Sequence, residues 1–406
     1  MLLDLIEVHH QMTQNVPLTF KRYLFHKINW NQRMITITGA RGVGKSTMVL
    51  QHYKEFFGDV SKCLYLSGDN PLVLKDGIYN LGTEYFRGGG KALIIDEIHK
   101  TPDWSLNVKA LYDAFPDKQL IILGSSKTEI LHSKGDLSRR TLIYNLKPLS
   151  FREYLNFSLN TGFKAQPIMS LVKNHTTYSQ DVTKVVDSIL QQFNEFKQSG
   201  SFPFRVNYSR DEYYNLMRNL LDKIIYEDIS LLHNMKKSSS VATKKLISFL
   251  AESKIPTINV SSLCNEFDIS RDTFYSILDS LQRADLLKVI TLEKKKHKSV
   301  SKGRVFFNSP NWYYTLAKGF WTSSVDMGNI REAFFVSQLA EDSILFISET
   351  TDYDVITENG RITVEIGGKG KSRKQLNQDA NTFLFKDDIE VGFQNIIPLY
   401  LCGFQY

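Results

Sequence analysis

Short apolar runs alternate with helical patterns through the first 150 residues of the chain. Helical spacing occupies the intervening stretches, most clearly in LNVKALYDAF at 106–115. Runs this short and this uniformly apolar are typical of strands buried on both faces of a parallel sheet. Strands that alternate with helices predict βαβ units, and the fold class is therefore α/β. The runs are MITIT (34–38), CLYLS (63–67), ALIID (92–96) and LIILGS (120–125).

The pattern changes after NLKPLSFREYL at 145–155. Residues 156–200 are polar and partly helical, and an amphipathic helix is predicted from Arg210 to Leu232. Three helical segments then precede a pair of strand-like segments around a basic loop (288–309), which is the outline of a winged helix. The three segments are 244–254, 260–269 and 270–287, with Ser270 as an N-cap of the third.

The last segment combines a helix with strand-like runs. IREAFFVSQLAED is helical, and Gly360 lies at the predicted turn between DYDVITEN (352–359) and RITVEIGG (361–368). A further strand-like run is SILFIS at 343–348. We therefore expect four parts: an α/β domain with an N-terminal helical segment (1–155), a helical region (156–235), a winged helix (236–315) and a small α/β domain (316–406).

A glycine-rich turn follows the first predicted strand. Residues 39–46 are G-A-R-G-V-G-K-S, which fits G-x-x-x-x-G-K-[ST] directly after a strand and before a helix. Glycines let backbone N–H groups turn toward phosphate oxygens, and the following helix presents the positive end of its dipole. Lys45 is placed for the β- and γ-phosphates and Ser46 for Mg²⁺. The predicted nucleotide-binding residues are Gly39, Ala40, Arg41, Gly42, Val43, Gly44, Lys45, Ser46 and Thr47.

Two carboxylates end the third apolar run. Asp96 and Glu97 follow Leu93-Ile94-Ile95, about 50 residues after the glycine-rich turn. We expect Asp96 to hold Mg²⁺, directly or through water, and Glu97 to act as the general base on the attacking water. A single acid at a strand end is often only a solvated cap, but a pair after a buried strand favours this chemistry.

Further catalytic candidates are weaker. Ser125 and Ser126 end the next apolar run and can contact a γ-phosphate, although Gly-Ser-Ser is also an ordinary turn. Arg139 and Arg140 are candidates to stabilise transition-state charge, in cis or on a neighbouring subunit, and solvated surface arginines explain them equally well.

Composition narrows the class of protein. The chain has 406 residues and a net charge of +7, which suits a phosphate-bearing partner such as nucleic acid or describes a merely basic globular protein. Cys63, Cys264 and Cys402 are far apart and predict neither a disulfide framework nor a zinc ribbon. With no signal-peptide pattern and no long apolar run, we expect a cytoplasmic protein without a membrane partner.

The order of the segments resembles the archaeal-type AAA ATPases of prokaryotes. The resemblance is carried by GARGVGKST, LYLSGDN, ALIIDEIHKTPDW with Trp104, LYDAFPDKQLIILGSS and NLKPLSFREYL. It implies a P-loop domain of the ASCE type, with a strand between the P-loop strand and the Walker B strand. It also implies ATP rather than GTP as the nucleotide, and a winged helix before a C-terminal restriction-endonuclease-like domain. Where the family tends to show Gly-Arg after the sensor strand, this chain has Leu137-Ser138-Arg139-Arg140.

The resemblance also implies a nuclease-like carboxylate set. Such nucleases use an Asp, then Glu-x-Lys on the next strand, and Asp354 and Glu365 lie on adjacent predicted strands. Glu332 on the preceding helix is a third candidate ligand. The lysine position is Gly367, and Lys369 and Lys371 follow it as substitutes. Because that lysine is missing, we favour an inactive nuclease-like domain.

The basic wing of the predicted winged helix is a candidate surface for binding double-stranded DNA. Lysines at a wing tip suit phosphate contacts, but the third helix carries Asp272, Asp279 and Asp285 beside two arginines, and winged helices also dock proteins. The wing residues are Lys294, Lys295, Lys296, His297, Lys298, Lys302 and Arg304.

Three functions remain open from the sequence. The leading hypothesis is a Mg²⁺-dependent ATPase coupled to DNA or to a protein. The alternatives are a slow-turnover nucleotide switch that docks partners through the winged helix, and an ATP-regulated nuclease. Assembly into a homo-oligomer is open as well.

Overall fold

The computed structural model describes residues 2–124, 137, 139–228, 237–254, 258–293, 303–319, 324–371 and 381–406. The chain divides into two compact units, Met1–Lys147 and Pro148–Tyr406. The division of the second unit into a helical region, a winged helix and a C-terminal domain stays a prediction.

The first unit is built on a parallel sheet. Its five strands are ordered β2-β3-β4-β1-β5. They are β1 (Met34–Thr38), β2 (Cys63–Ser67), β3 (Ala92–Asp96), β4 (Gln119–Leu123) and β5 (Leu142–Asn145). The helices are α1 (Leu2–Gln14), α2 (Lys45–His52), α3 (Pro71–Asp76), α4 (Ile78–Arg87) and α5 (Trp104–Ala114).

The strand order confirms the predicted fold class. All four ladders are parallel, and β4 lies between β1 and β3, as the resemblance implied. Strands β1 and β3 are buried throughout, because helices cover both faces of the sheet. The carboxyl ends of β1 and β3 therefore open on the same edge, where Thr38 is followed by the glycine-rich turn and Asp96 ends its strand.

The second unit begins with helices. An antiparallel hairpin follows them, made of β6 (Leu287–Ile290) and β7 (Arg304–Phe307). The helices are α6 (Phe151–Leu159), α7 (Ile168–Val185), α8 (Ile189–Glu195), α9 (Arg210–Lys223), α10 (Lys237–Glu252), α11 (Val260–Phe267), α12 (Arg271–Arg283), α13 (Asn311–Lys318) and α14 (Met327–Gln338).

Helices α10 to α12 precede the hairpin in the chain, and their identity as a winged helix stays a prediction. The side chain of Ser270 accepts a hydrogen bond from the Thr273 N–H at 3.1 Å, which confirms the predicted N-cap. The hairpin is packed onto the C-terminal part of the unit. The Ile347 N–H donates to the Thr291 carbonyl at 3.0 Å, and half-buried Lys288 donates to the Val336 carbonyl at 3.0 Å.

A mixed five-stranded sheet ends the chain, in the order β12-β11-β10-β9-β8. Strand β10 pairs antiparallel with β9 and parallel with β11. The strands are β8 (Ile344–Ile347), β9 (Tyr353–Thr357), β10 (Gly360–Gly367), β11 (Thr382–Lys386) and β12 (Ile396–Pro398). In the described ranges we find no helix whose length and hydropathy would let it cross a bilayer.

Candidate functional site

The glycine-rich turn forms a loop between β1 and α2. Gly39 and Gly44 have φ angles of 142° and 94°, in the region that favours glycine. A Cβ on Gly39 would also lie 2.2 Å from the Leu146 carbonyl oxygen, so no side chain fits there. The loop therefore turns its backbone into α2 with Lys45 as the first helical residue. Lys45 is buried, and its Nζ donates to the carbonyls of Gly39 at 2.7 Å and Ala40 at 3.0 Å.

The two Walker elements meet at Asp96. Its Oδ2 accepts hydrogen bonds from the Ser46 hydroxyl and from the Tyr65 hydroxyl, the latter at 3.0 Å. Its Oδ1 accepts the Glu97 N–H at 2.8 Å. Asp96 is only 4% exposed, and these three donors are neutral. Mg²⁺ is bound by oxygen ligands, and here a hydroxyl and a carboxylate are in contact at the amino end of a helix. These two side chains therefore fit a Mg²⁺ site.

Glu97 follows Asp96 in a left-handed backbone conformation, with φ 45° and ψ 39°. Such a conformation is uncommon outside glycine and is concentrated at functional sites. The Glu97 Oε2 lies 3.3 Å from His99 Nε2 and 3.9 Å from Arg41 Nη1 in the P-loop. The second predicted carboxylate therefore lies next to the phosphate-binding loop, beside Arg41 and His99.

Arg22 reaches the same loop from the segment before β1. It is buried, and its guanidinium donates to the Val43 carbonyl in the P-loop and to the Lys147 carbonyl, the latter at 2.7 Å. One arginine thus fixes the P-loop backbone to the end of the first unit.

Residues 31–155 match the AAA domain family. This match confirms the AAA part of the expected resemblance. A second match, over residues 190–318, is to a domain of unknown function, DUF8612. The nuclease-like part of the resemblance stays a prediction.

One curated relative is the uncharacterized protein MJ1637 of Methanocaldococcus jannaschii. It is 29% identical over 291 residues, which are 67% of this chain. The aligned part is 60% of the length of that relative.

Two solved structures that match this chain at low identity are those of Orc1 and DnaA. Orc1 of Aeropyrum pernix in complex with DNA has 10% identity and a TM-score of 0.29, covering 78% of this chain and 94% of that one. AMPPCP-bound DnaA from Aquifex aeolicus has 14% identity and a TM-score of 0.28, covering 68% of this chain and 86% of that one.

Arg139 and Arg140 lie away from the P-loop within their own unit. They precede β5, whose residues Leu142 and Asn145 are paired with Ile35 and Thr38. They therefore lie beyond the amino end of β5, whose first residue, Leu142, is already roughly 13 Å along the sheet from Gly39 at about 3.3 Å per residue. Arg140 pairs with Asp113, its Nε 3.2 Å from Oδ1. This placement does not support a role in cis, and a role on a neighbouring subunit stays a prediction. Ser125 and Ser126 lie outside the described residues.

In the second unit, the structure pairs Glu365 with a different aspartate from the one predicted. Strand β10 places Thr363, not Glu365, opposite Asp354, and the Thr363 hydroxyl donates to Asp354 at 3.1 Å. Continuing the antiparallel register places Asp352 opposite Glu365. Lys371 connects these two, its Nζ 2.6 Å from Glu365 Oε1 and 3.7 Å from Asp352 Oδ2.

Lys371 occupies the space that a side chain at 367 would fill. A Cβ on Gly367 would lie 2.4 Å from the Lys371 Cδ and 2.7 Å from its Cβ. The lysine stem therefore lies over the glycine, and the ammonium group reaches the carboxylate of Glu365 from there. Of the two substitutes considered from the sequence, Lys371 is the one with this contact.

Glu332 is also held by internal partners. Its Oε2 accepts from the Tyr353 hydroxyl and from Arg304 Nη1, the latter at 3.1 Å, and Arg304 also lies 3.4 Å from Asp352. Burial raises the pKa of Glu332 to about 6, and this effect is larger than that of the two hydrogen bonds, which lower the pKa. Arg304 lies on β7 with its guanidinium directed at these carboxylates, so it is not available to the predicted basic wing for a phosphate contact. The lysines and the histidine at 294–298, and Lys302, lie outside the described residues.

Sequence reasoning missed three side chains near the P-loop: Arg22, Tyr65 and His99. His99 could have been found, because it lies two residues after Glu97. Tyr65 gave a weak signal as a polar-tipped residue within a buried strand. Arg22 gave none, because its contacts join residues 21 and 125 positions apart in the chain.

Proposed function

We propose that this chain binds Mg²⁺ and ATP at the P-loop and hydrolyses the nucleotide. The contact that carries the proposal is the one between the Ser46 hydroxyl and Asp96, with Glu97 directly beyond it. This contact joins the start of α2 to the end of β3, at the edge of the sheet where the P-loop lies.

The residues then have separate roles. Backbone N–H groups of the P-loop and the amino end of α2 bind the phosphates, and Lys45 exchanges its bonds to the carbonyls of Gly39 and Ala40 for phosphate oxygens. Ser46 and Asp96 would hold Mg²⁺. When bound, the ion neutralises charge on the phosphates. Glu97 accepts the proton of the attacking water, and Arg41 and His99 orient its carboxylate.

Steady-state ATP hydrolysis tests this proposal with two variants and two matched controls. Lys45→Ala should abolish turnover, whereas Lys91→Ala, an exposed lysine at the other end of β3, should leave it unchanged. Glu97→Gln should retain ATP binding and lose hydrolysis, whereas Glu84→Gln on an exposed helix position should lose neither.

Two outcomes would contradict the ATPase proposal. Tight ATP binding without turnover in the wild type would favour the nucleotide switch. Turnover that survives both Lys45→Ala and Glu97→Gln would exclude this site as its source.

We infer further that the carboxylates of the second unit stabilise the fold. Glu332, Asp352, Asp354 and Glu365 each lie within ion-pair distance of an arginine or lysine. No group of three or more His, Cys, Asp or Glu side chains suited to a metal occurs within the described part of the chain. Mg²⁺- or Mn²⁺-dependent DNA cleavage that disappears in Asp352→Asn would overturn this inference and favour the nuclease.

Double-stranded DNA remains the proposed partner of the winged helix. Because Arg304 is engaged internally, the proposal rests on the lysines at 294–296 and 298. Changing these four to glutamine should weaken DNA binding in a gel-shift titration and remove any DNA stimulation of ATP hydrolysis. Unchanged DNA binding would favour a protein partner.

A further inference from the structure

Tyr65 is the third group in contact with the carboxylate of Asp96. It lies on β2, whose ladder with β3 pairs Tyr65 with Ile94 and Ser67 with Asp96. Because paired residues of adjacent strands point to the same face, the Tyr65 ring lies on the face of the sheet that also carries the Asp96 side chain. Its hydroxyl reaches forward by two residues to Asp96 Oδ2 at 3.0 Å.

The surroundings keep Tyr65 a hydrogen-bond donor. The residue is only 4% exposed, and its hydroxyl lies 3.0 Å from Asp96 Oδ2. A phenol hydroxyl that faces a carboxylate oxygen donates its proton to that oxygen. The orientation of Asp96 is thus set from two sides, by Ser46 of α2 and by Tyr65 of β2.

The strand that carries Tyr65 is itself fixed by α1. Strand β2 is at the edge of the sheet, and the Tyr65 N–H donates to Nδ1 of the buried His9 at 3.0 Å. The His9 ring also packs edge-on against Tyr53, with centroids 4.5 Å apart. A chain of contacts therefore leads from α1 through Tyr65 to the carboxylate at the P-loop.

We propose that Tyr65 is a positioning residue that orients Asp96 for Mg²⁺ and so sets the metal affinity of the nucleotide site. This inference rests on the proposed ATPase function. A hydrogen-bond partner of a metal-binding carboxylate fixes its orientation, and losing such a partner typically weakens metal affinity or activity about 10–100-fold.

The matched pair for the test is Tyr65→Phe and Tyr85→Phe. Both remove one buried hydroxyl from the first unit, but the Tyr85 hydroxyl donates to the Val60 carbonyl at 2.7 Å and has no contact with Asp96. Tyr65→Met is a second variant without the hydroxyl, in case Tyr65→Phe fails to fold. Thermal unfolding identifies the folded proteins.

The metal is measured by two readouts. The first is the Mg²⁺ concentration that gives half-maximal ATP hydrolysis at saturating ATP. The second is Mn²⁺ binding in the presence of ADP, followed by electron paramagnetic resonance. We expect Tyr65→Phe to raise the half-maximal Mg²⁺ concentration and the dissociation constant of Mn²⁺ about tenfold each. Rates at saturating Mg²⁺, and ADP affinity in EDTA, should change little, and Tyr85→Phe should match the wild type.

The outcomes separate the two proposals. Suppose that the wild type binds Mn²⁺ with ADP and hydrolyses ATP, but Tyr65→Phe has the same metal dependence as Tyr85→Phe. The proposed role of Tyr65 is then wrong, whereas the ATPase proposal is retained. If the wild type neither binds Mn²⁺ with ADP nor hydrolyses ATP, both fail. An equal loss of ADP affinity with and without metal would show a merely structural role.

Discussion

Both units contain buried or half-buried carboxylates. The groups that contact Asp96 in the first unit differ in charge from those that contact the carboxylates of the second unit. In the first unit, Asp96 accepts hydrogen bonds from two hydroxyls and an amide, all neutral. In the second unit, Glu332, Asp352 and Glu365 lie beside Arg304 and Lys371. The first arrangement orients a negative charge without cancelling it, and the second cancels it.

This difference separates a binding site from a structural network. Removing a carboxylate from water is costly, and neutral hydrogen bonds recover only part of that cost. A protein that leaves such a charge uncompensated keeps it available for a cation from solution. The carboxylates of the second unit already have their cations, which are Arg304 on β7 and Lys371 after the end of β10.

We expect the largest loss of stability when the arginine that neutralises Glu332 in the second unit is removed. Arg304→Met leaves Glu332 buried, and we expect a loss of about 3–5 kcal/mol in the free energy of unfolding at about pH 8. The pKa of Glu332, already about 6, should rise further without the arginine. Because a protonated Glu332 needs no counter-charge, the loss should shrink as the pH falls toward about 5.

Urea unfolding at both pH values checks this prediction. Arg283→Met is the control, because it removes an arginine from a more exposed pair with Asp279. A deficit in Arg304→Met that does not depend on pH would show that lost packing, not the charge of Glu332, is its cause.

In the first unit, removing the charge of Asp96 should lower the rate of ATP hydrolysis rather than the stability of the fold. Asp96→Asn keeps the size of the side chain and removes its charge. We expect ATP hydrolysis to fall on the order of 100-fold or more, because a metal ligand is lost. Asp352→Asn, the matched change in the other unit, should leave the rate unaltered. Equal rate losses in the two variants would remove the distinction between the clusters.

A smaller effect is expected from Lys371→Met. The methionine can still cover Gly367, but Asp352 and Glu365 lose the cation between them. We expect a loss of about 1–3 kcal/mol in the free energy of unfolding. Lys369→Met, at an exposed position two residues earlier, should cost nothing measurable in the same denaturation experiment. Equal stability of the two variants would contradict the proposed role of Lys371.

Arg361→Gln should have the smallest effect. Arg361 contacts Asp354 at 2.7 Å and Glu293 at 3.0 Å, but its side chain is 46% exposed. Water screens such pairs, so we expect less than about 1 kcal/mol, decreasing with added salt. A larger, salt-independent loss in thermal unfolding would place Asp354 among the compensated carboxylates.

The first unit could be predicted well because its signals are local. Strands β1 to β4 are uniformly apolar, and the P-loop and the acidic pair directly follow two of them in the chain. Strand β5 was missed, because it is a four-residue edge strand whose side chains are exposed or half-buried. The contacts of Arg22 and Tyr65 with the P-loop region could not be predicted, because they join segments that are distant in sequence.

The error over Asp354 has a specific cause in strand register. With Gly360 at the centre of the turn, Asp354 would lie opposite Ile366, the residue after Glu365. In the structure Gly360 belongs to β10 and pairs with Thr357, so Glu358 and Asn359 form the two-residue turn. That shift brings Asp352 opposite Glu365. The pattern of apolar residues predicted the two strands but not which residues face each other, since turn geometry sets register.

The Lys371 side chain over Gly367 has a consequence for how the predicted nuclease-like pattern is searched for by sequence comparison. A linear pattern of the form Glu-x-Lys fails at Glu365, because the third residue is glycine. In space, a lysine amine lies 2.6 Å from that glutamate, and this lysine is four residues beyond the glycine in the chain. Alignments that score each column independently will count the lysine as lost, whereas a comparison of side-chain positions will count it as kept.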